Sequence, residues 1–515
     1  MNSPLPITNE PVFNKSKRHI FSKTLCMIFL FIAVLAFFAA HWLILTCGDV
    51  GFDSVMFTLL SNIDGTQMDM IYGFILKALL PTILIFCAIS FILFFFPAKW
   101  KITFKIKKTN INFLPVKHIF SVIISLLLSV ILLLTGAVKA NLTDYIYTLA
   151  QNSTFIEDNY VDPFSLGLEF PEKKRNLIYI FLESMETTYF SKDEGGALDT
   201  NIIPELHKLA KQNINFSHND KVGGFLTPMG TTWTVAAMTA HSSGVPLKAP
   251  TSFERNTYGR DAFLPGLNTL TDVLKKNGYY QALMVGSASE FANRDVYYKD
   301  HGIDKIYDLY TAREDGIVPE DYHVWWGMED LHLFDYAKRE LKKIAAKNDP
   351  FAFTMLTVDT HFTDGYVCKL CRNNHDEQYE NVISCSSRQV SKFINWLKKQ
   401  SFYKDTTIII CGDHLTMDSE YLSRNTEKGY EQHVYNCFIN SAVEGSNYKN
   451  RVFSSLDLFP TTLASMGVRI PGERLGLGTN LFSDKKTFAE EMGFEEFNKQ
   501  LSMTSEYYIS EFMFE

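Results

Sequence analysis

Apolar residues fall into two regimes along the chain. Near the N-terminus three runs, Thr24 to Cys47, Ile71 to Pro97 and Phe120 to Val138, are almost unbroken. Each reaches the ~20 residues a helix needs to cross a bilayer. After Ala140 the apolar runs shorten to strand length. NLIYIFLES (Asn176–Ser184), YYQALMVG (Tyr279–Gly286), FAFTMLTVDTH (Phe351–His361), TTIIICGDH (Thr406–His414) and VYNCFIN (Val434–Asn440) read as buried strands. Amphipathic stretches alternate with them: NIIPELHKLAKQ, LNTLTDVLKKNG, DLHLFDYAKRELKKIAAK, SSRQVSKFINWLKKQ and LDLFPTTLASMG. This alternation predicts an α/β fold, a mainly parallel sheet with helices on both faces. The pattern divides the chain into a membrane domain over 1–140, an extracytoplasmic linker over 141–175 and a globular domain over 176–515. The polar tail Met1 to Arg18 reads as disordered. Pro81 reads as a kink in the second span, and the apolar residues after Asp53 as a stretch along the membrane surface.

Charge sharpens the division. Residues 1–140 hold 12 Lys+Arg against 5 Asp+Glu, which leaves 37 against 52 for residues 141–515 and a formal charge of −15 there. An acidic globular part excludes a nucleic-acid binder, which needs basic surface. Lys15, Lys17, Arg18 and Lys23 precede the first span, and Lys99, Lys101, Lys105, Lys107, Lys108 and Lys117 lie between the second and third. The segment between the first two spans carries Asp49, Asp53, Asp64 and Asp69 and no basic residue. Basic loops stay cytoplasmic, so the N-terminus is expected inside and the globular domain outside. No phosphate-binding glycine fingerprint supports a nucleotide.

In open α/β sheets ligands bind beyond the carboxyl ends of the strands. Glu183, His361, Asp413 and His414 all sit there. A second signal is LTPMGTTWTVAAMTAHSSGVP, Leu226 to Pro246. Helix formers follow Thr234, and Gly244 and Pro246 stop the helix. Thr234 therefore stands at a helix N-terminus, either as a simple cap or in a positive potential that favours an oxyanion and a bound phosphate. With Glu183, Asp413 and His414, its hydroxyl completes a mixed N/O set for one divalent cation: manganese first, with magnesium or zinc as alternatives. Such an ion would lower the hydroxyl pKa and prepare Thr234 as a nucleophile. Arg294 could grip a phosphate at two points. His361 could contact the phosphoryl group or act as general acid. His301 and His433 are weaker candidates, and Trp325 and Trp326 fit either a cleft wall or the core. Of eight cysteines, Cys368, Cys371 and Cys385 flank a polar loop. A Cys371–Cys385 disulfide is the expectation, and a zinc site is the other reading of the CKLC spacing.

The ordered set FLES, GTTWT…GVP, NRDVYYKDHG, DTHF and GDH resembles the alkaline-phosphatase-like family, which includes lipoteichoic acid synthases, phosphoethanolamine transferases and sulfatases. Within it, FIEDNYVDP, LTVDTHFTDG and GERLGLGTNLFS look most like the phosphoglycerol transferases that decorate periplasmic glucans. The resemblance implies a sulfatase-like catalytic domain with Thr234 as nucleophile. It implies Glu183, Thr234, Asp413 and His414 as metal ligands, and Arg294 and His361 as substrate contacts. It further implies an inner-membrane, multi-pass transferase whose active domain faces the periplasm, with phosphatidylglycerol as donor and a glycan as acceptor. Phosphoethanolamine transfer to lipid A or another glycan is the alternative, as is a catalytically dead glycan-binding protein. Sulfatases carry Cys or Ser followed by Pro-Ser-Arg, whereas Val235, Ala236 and Ala237 follow Thr234 here. A threonine cannot become the aldehyde sulfatases use, so sulfate ester hydrolysis is not expected.

Overall fold

The computed structural model describes residues 15–47, 51–60, 68–95, 102–106, 109–113, 118–249, 262–445 and 447–514. Residues 1–14 of the polar tail and Lys99, Lys101, Lys107, Lys108 and Lys117 of the basic loop lie outside them. Contacts divide the chain into two units, one of residues 1–45 and 68–143, the other of residues 46–67 and 144–515.

Among the described residues three helices are long and apolar enough to cross a membrane: His19–Thr46, Met70–Phe95 and His118–Lys139. Ser121, Ser125, Ser129 and Gly136 recur on one side of the third and are its buried residues. Ser121 donates to the Leu93 carbonyl at 2.6 Å, and Gly136 brings its backbone close to that of Phe37. Small and hydroxylated residues let membrane helices approach in this way. The second span carries a π-turn, Ile75–Leu79, one residue before the α-helix that has Pro81 in its first turn. The segment between the second and third spans forms an antiparallel hairpin, Ile102–Ile106 with Thr109–Phe113. Its β-branched alternation accounts for this.

The second unit is built on a seven-stranded sheet. Its strands are β1 (Asn176–Leu182), β2 (Gly224–Phe225), β3 (Tyr280–Val285), β4 (Lys305–Tyr307), β5 (Phe351–Leu356), β6 (Thr406–Gly412) and β7 (Val434–Ile439). Their order across the sheet is β2-β7-β6-β1-β5-β3-β4. The five strands from β6 to β4 run parallel, and β7 is antiparallel to both β6 and β2. Side chains of β1 alternate between two cores. Leu177, Tyr179 and Phe181 pack with the Thr234–Ser243 helix on one face. Ile178, Ile180 and Leu182 pack with the helices Pro204–Gln212, Asp330–Ala345 and Gln378–Leu397 on the other. Burial on both faces is why these strands read as unbroken apolar runs.

The residues after Asp53 do not read out as a surface stretch. They form a helix, Phe52–Leu60, whose Phe57 is buried in the core of the second unit. Its ring lies 5.7 Å from that of Trp233 and 6.2 Å from that of Phe263. Residues after Asp144 also pack on this unit: Phe155 and Ile156 are buried, and Val161 and Glu169 bridge to Gly476 and Arg469.

Candidate active site

Four segments end at one edge of the sheet. Glu183 follows β1, Asp413 and His414 follow β6, and Thr357 to His361 follow β5. Because β7 runs the other way, its start at Val434 brings Gln432 and His433 to the same edge. The Thr234–Ser243 helix begins there too. Its N-cap is Trp233, which makes no side-chain cap, and Gly244 ends it in the left-handed region at φ 67°. Thr234 is thus the first helical residue, and its hydroxyl does not cap. Oγ1 stands 3.3 Å from Glu183 Oε2 and 3.3 Å from His414 Nε2.

The imidazole of His414 is oriented from behind. Nδ1 lies 2.7 Å from the Leu415 carbonyl, to which only a protonated nitrogen can donate. The other nitrogen, Nε2, faces Asp413 Oδ2 at 3.3 Å and Glu183 Oε1 at 3.5 Å. Both carboxylates are buried, Glu183 at 2% and Asp413 at 0% exposure. Each is held by Ser184, whose hydroxyl donates to Glu183 Oε1 at 2.8 Å and whose backbone N–H donates to Asp413 Oδ1 at 2.9 Å. The His414 N–H donates to the same Oδ1 at 2.8 Å. Among the described residues none donates a hydrogen bond to Asp413 Oδ2.

A buried carboxylate oxygen with no donor, beside a second carboxylate and a nitrogen lone pair, calls for positive charge between them. Burial and the neighbouring Glu183 push Asp413 up to about 7. Burial works against a charged His414, but Asp413 and Glu183 outweigh it and raise the imidazole above its ordinary value. A divalent cation supplies the same compensation. Donors about 2.1 Å from a shared ion in tetrahedral array stand about 3.4 Å apart, the spacing seen among these atoms. The donor set is oxygen with one imidazole, which suits manganese, magnesium or zinc.

Two further side chains face this cluster. Arg294 is buried, and its Nη2 donates to Ser287 Oγ at 2.7 Å and to the Ala288 carbonyl at 2.9 Å. Nε donates to the Phe291 carbonyl at 3.2 Å. Burial pulls the guanidinium down to about 10, with Glu183 the largest opposing charge. His361 Nδ1 lies 2.7 Å from the Phe362 carbonyl, so Nε2 is left as acceptor. Burial lowers it to about 4, and His414, Asp413 and Arg294 act on it. Trp326 joins the two positions, with ring centroids 4.5 Å from His361 and 5.4 Å from Phe291.

His301 has structural partners instead, Asp272 Oδ2 at 2.8 Å and the Phe263 carbonyl at 3.2 Å. His433 stacks on His218 at 3.5 Å. Two residues absent from the sequence-based set act on this cluster. Ser184 supports both carboxylates from a left-handed backbone, φ 53°. Glu186 is fully buried, accepts from Gln432 at 3.1 and 2.9 Å, and is pushed by burial up to about 7. No local signal marks Ser184, because its role depends on a backbone conformation that serine adopts only when its surroundings impose it.

Cys368, Cys371 and Cys385 are free thiols here, so the expected Cys371–Cys385 bridge is not formed.

The model of the Sulfatase family matches residues 175–468, more than half of the chain. Phosphoglycerol transferase I of Salmonella choleraesuis (strain SC-B67) is 35% identical over 266 residues, 49% of this chain and 33% of that protein. The chain therefore spans about a third of the length of the curated relatives it matches. Among solved structures, the lipoteichoic acid synthase LtaP from Listeria monocytogenes aligns at 19% identity and TM-score 0.49, covering 64% of this chain and 80% of that one. The lipooligosaccharide phosphoethanolamine transferase EptA from Neisseria meningitidis aligns at 12% identity and TM-score 0.48, covering 90% of each.

Proposed function

The chain belongs to the Sulfatase family, and on that premise we propose that it is a membrane-anchored transferase of substituted phosphate groups. The group is phosphoglycerol, the donor phosphatidylglycerol and the acceptor a glycan hydroxyl at the outer face of the inner membrane. Support for the group comes from the curated relatives, named phosphoglycerol transferase I. Support for the location comes from the three apolar helices and the distribution of basic residues around them.

The observation that carries the reading is Thr234 Oγ1 at 3.3 Å from both Glu183 and His414, at the first residue of a helix. A divalent cation held by Glu183, Thr234, Asp413 and His414 would lower the hydroxyl pKa of Thr234 and screen the charge of an incoming phosphate. The residues themselves divide the rest. Oγ1 of Thr234 attacks the donor phosphorus; the new O–P bond forms as the P–O bond to diacylglycerol breaks, and the departing oxygen takes up a proton. N–H groups of a helix's first turn lack intrahelical partners, and here they would meet the transferring oxygens. Arg294, fixed through Nη2 and Nε, presents Nη1 to the phosphate. His361, whose Nδ1 is engaged by the Phe362 carbonyl, would use Nε2 to hold or pass the proton. The acceptor hydroxyl then attacks the phosphorus, the Thr234–phosphorus bond breaks, and the threonine hydroxyl is regenerated.

The test is donor competition. Purified full-length protein receives headgroup-labelled phosphatidylglycerol and an oligosaccharide acceptor, with unlabelled phosphatidylglycerol or phosphatidylethanolamine as competitor. Mass spectrometry identifies the acceptor's substituent. Phosphoglycerol on the acceptor, competed only by phosphatidylglycerol, is expected; phosphoethanolamine on the acceptor overturns the donor assignment.

A further inference from the structure

Away from the Thr234 cluster, a second set of potential ligands converges. Cys368 and Cys371 occupy a turn closed by Cys371 N–H donating to the Cys368 carbonyl at 3.0 Å. Cys385 comes from the helix Gln378–Leu397. The Cys368 sulfur lies 3.7 Å from that of Cys371 and 3.8 Å from that of Cys385. All three sulfurs are within 4.8 Å of one another. These spacings are far beyond the ~2.05 Å of a disulfide bond. They match the edge of a thiolate tetrahedron: sulfurs about 2.3 Å from a zinc ion stand about 3.8 Å apart.

One neutral side-chain donor also reaches the cluster. Gln389, one helical turn after Cys385, directs its amide Nε2 to both Cys385 Sγ at 3.7 Å and Cys368 Sγ at 3.9 Å. An amide donor shared by two sulfurs is the outer support that ligating groups need. Cys368 and Cys385 are buried, whereas Cys371 is half-buried, so the cluster opens on the Cys371 side.

We propose that Cys368, Cys371 and Cys385 form a second metal centre that takes a thiophilic divalent cation of the zinc class. The three thiols release three protons on binding, and the fourth position belongs to water. Three sulfurs select zinc over manganese or magnesium, so this centre differs in preference from the oxygen-rich cluster at Thr234. It ties the segment that leaves β5 and carries His361 to the helix that bears Cys385.

X-ray absorption at the zinc edge tests the proposal on full-length, detergent-solubilised protein loaded with zinc under reducing conditions and then dialysed. The expected result is a zinc population with sulfur neighbours at about 2.3 Å, close to one equivalent per chain, released by a mercurial thiol reagent. It persists in Asp413→Ala and falls at least tenfold in Cys385→Ser. Because sulfur and oxygen neighbours are distinguished in the wild-type spectrum itself, the reading survives a variant that folds poorly. A wild-type spectrum without sulfur neighbours overturns the proposal. So does peptide mapping that finds a disulfide among the three cysteines in protein taken directly from membranes.

Discussion

Replacing Ser184 by alanine isolates the support beneath the carboxylate–histidine cluster proposed to hold a metal. The Ser184 hydroxyl donates to Glu183 Oε1 at 2.8 Å, and the residue has no exposure to solvent. Water therefore cannot take its place without a new cavity. A hydrogen bond to a charged group contributes about 1.5–3 kcal/mol, and at 1.4 kcal/mol per decade this corresponds to roughly a 10- to 150-fold loss. The figure agrees with the roughly 10- to 100-fold cost of removing outer supports of metal ligands. Alanine keeps the backbone N–H that donates to Asp413 Oδ1, so only the Glu183 arm is released. The assay is competitive titration of manganese against a chelating indicator, with wild-type and Ser184→Ala protein stripped of metal beforehand. A dissociation constant raised about 10-fold or more is expected. An unchanged constant in a folded variant would refute the claim that Glu183 binds the ion through a geometry Ser184 sets.

Two other perturbations probe the frame of the site. A methyl group on Gly412 would sit 2.0 Å from the Met185 carbonyl oxygen and 2.6 Å from Val434 Cγ1. Gly412→Ala should therefore displace the end of β6 and abolish metal binding, at a cost of about 1–3 kcal/mol in stability; metal content equal to wild type would contradict this. His241, on the Thr234 helix, is buried and pushed down to about 3, with Nδ1 against the Tyr179 hydroxyl at 2.9 Å. Its folded value lies below the ordinary 6.5, so the unfolded chain binds the extra proton between those limits. Its stability contribution is complete above pH 6.5 and is lost as pH falls. From pH 7 to pH 5 this costs about 2 kcal/mol. His241→Gln should remove that share of the pH dependence in chemical denaturation, and an unaltered slope would count against it.

Much of the sheet was legible because strands buried on both faces leave a plain mark, a short apolar run. The direction of β7 was not: VYNCFIN looks the same whichever way it runs, yet its reversal is what delivers Gln432 to Glu186. β2 and β4 are two and three residues long, too short for any periodicity. Glu183, Asp413 and His414 could be grouped because each ends a run, a positional argument that needs no contact information. Ser184 escaped because its contribution depends on a positive φ. The helix Phe52–Leu60 escaped because an apolar face looks alike whether it meets lipid or protein. For Cys368, Cys371 and Cys385 the spacing in sequence allowed either a bridge or an ion and carried no information on how far apart the sulfurs stand.

The most direct measurement is of Thr234 itself. Full-length protein is mixed with headgroup-labelled phosphatidylglycerol and no acceptor, quenched in acid, digested and sequenced by tandem mass spectrometry. A phosphoglycerol adduct on Thr234, chased by added glycan and absent in Thr234→Ala, is the expected result. Transfer activity that survives Thr234→Ala, with no adduct in the wild type, would contradict the account.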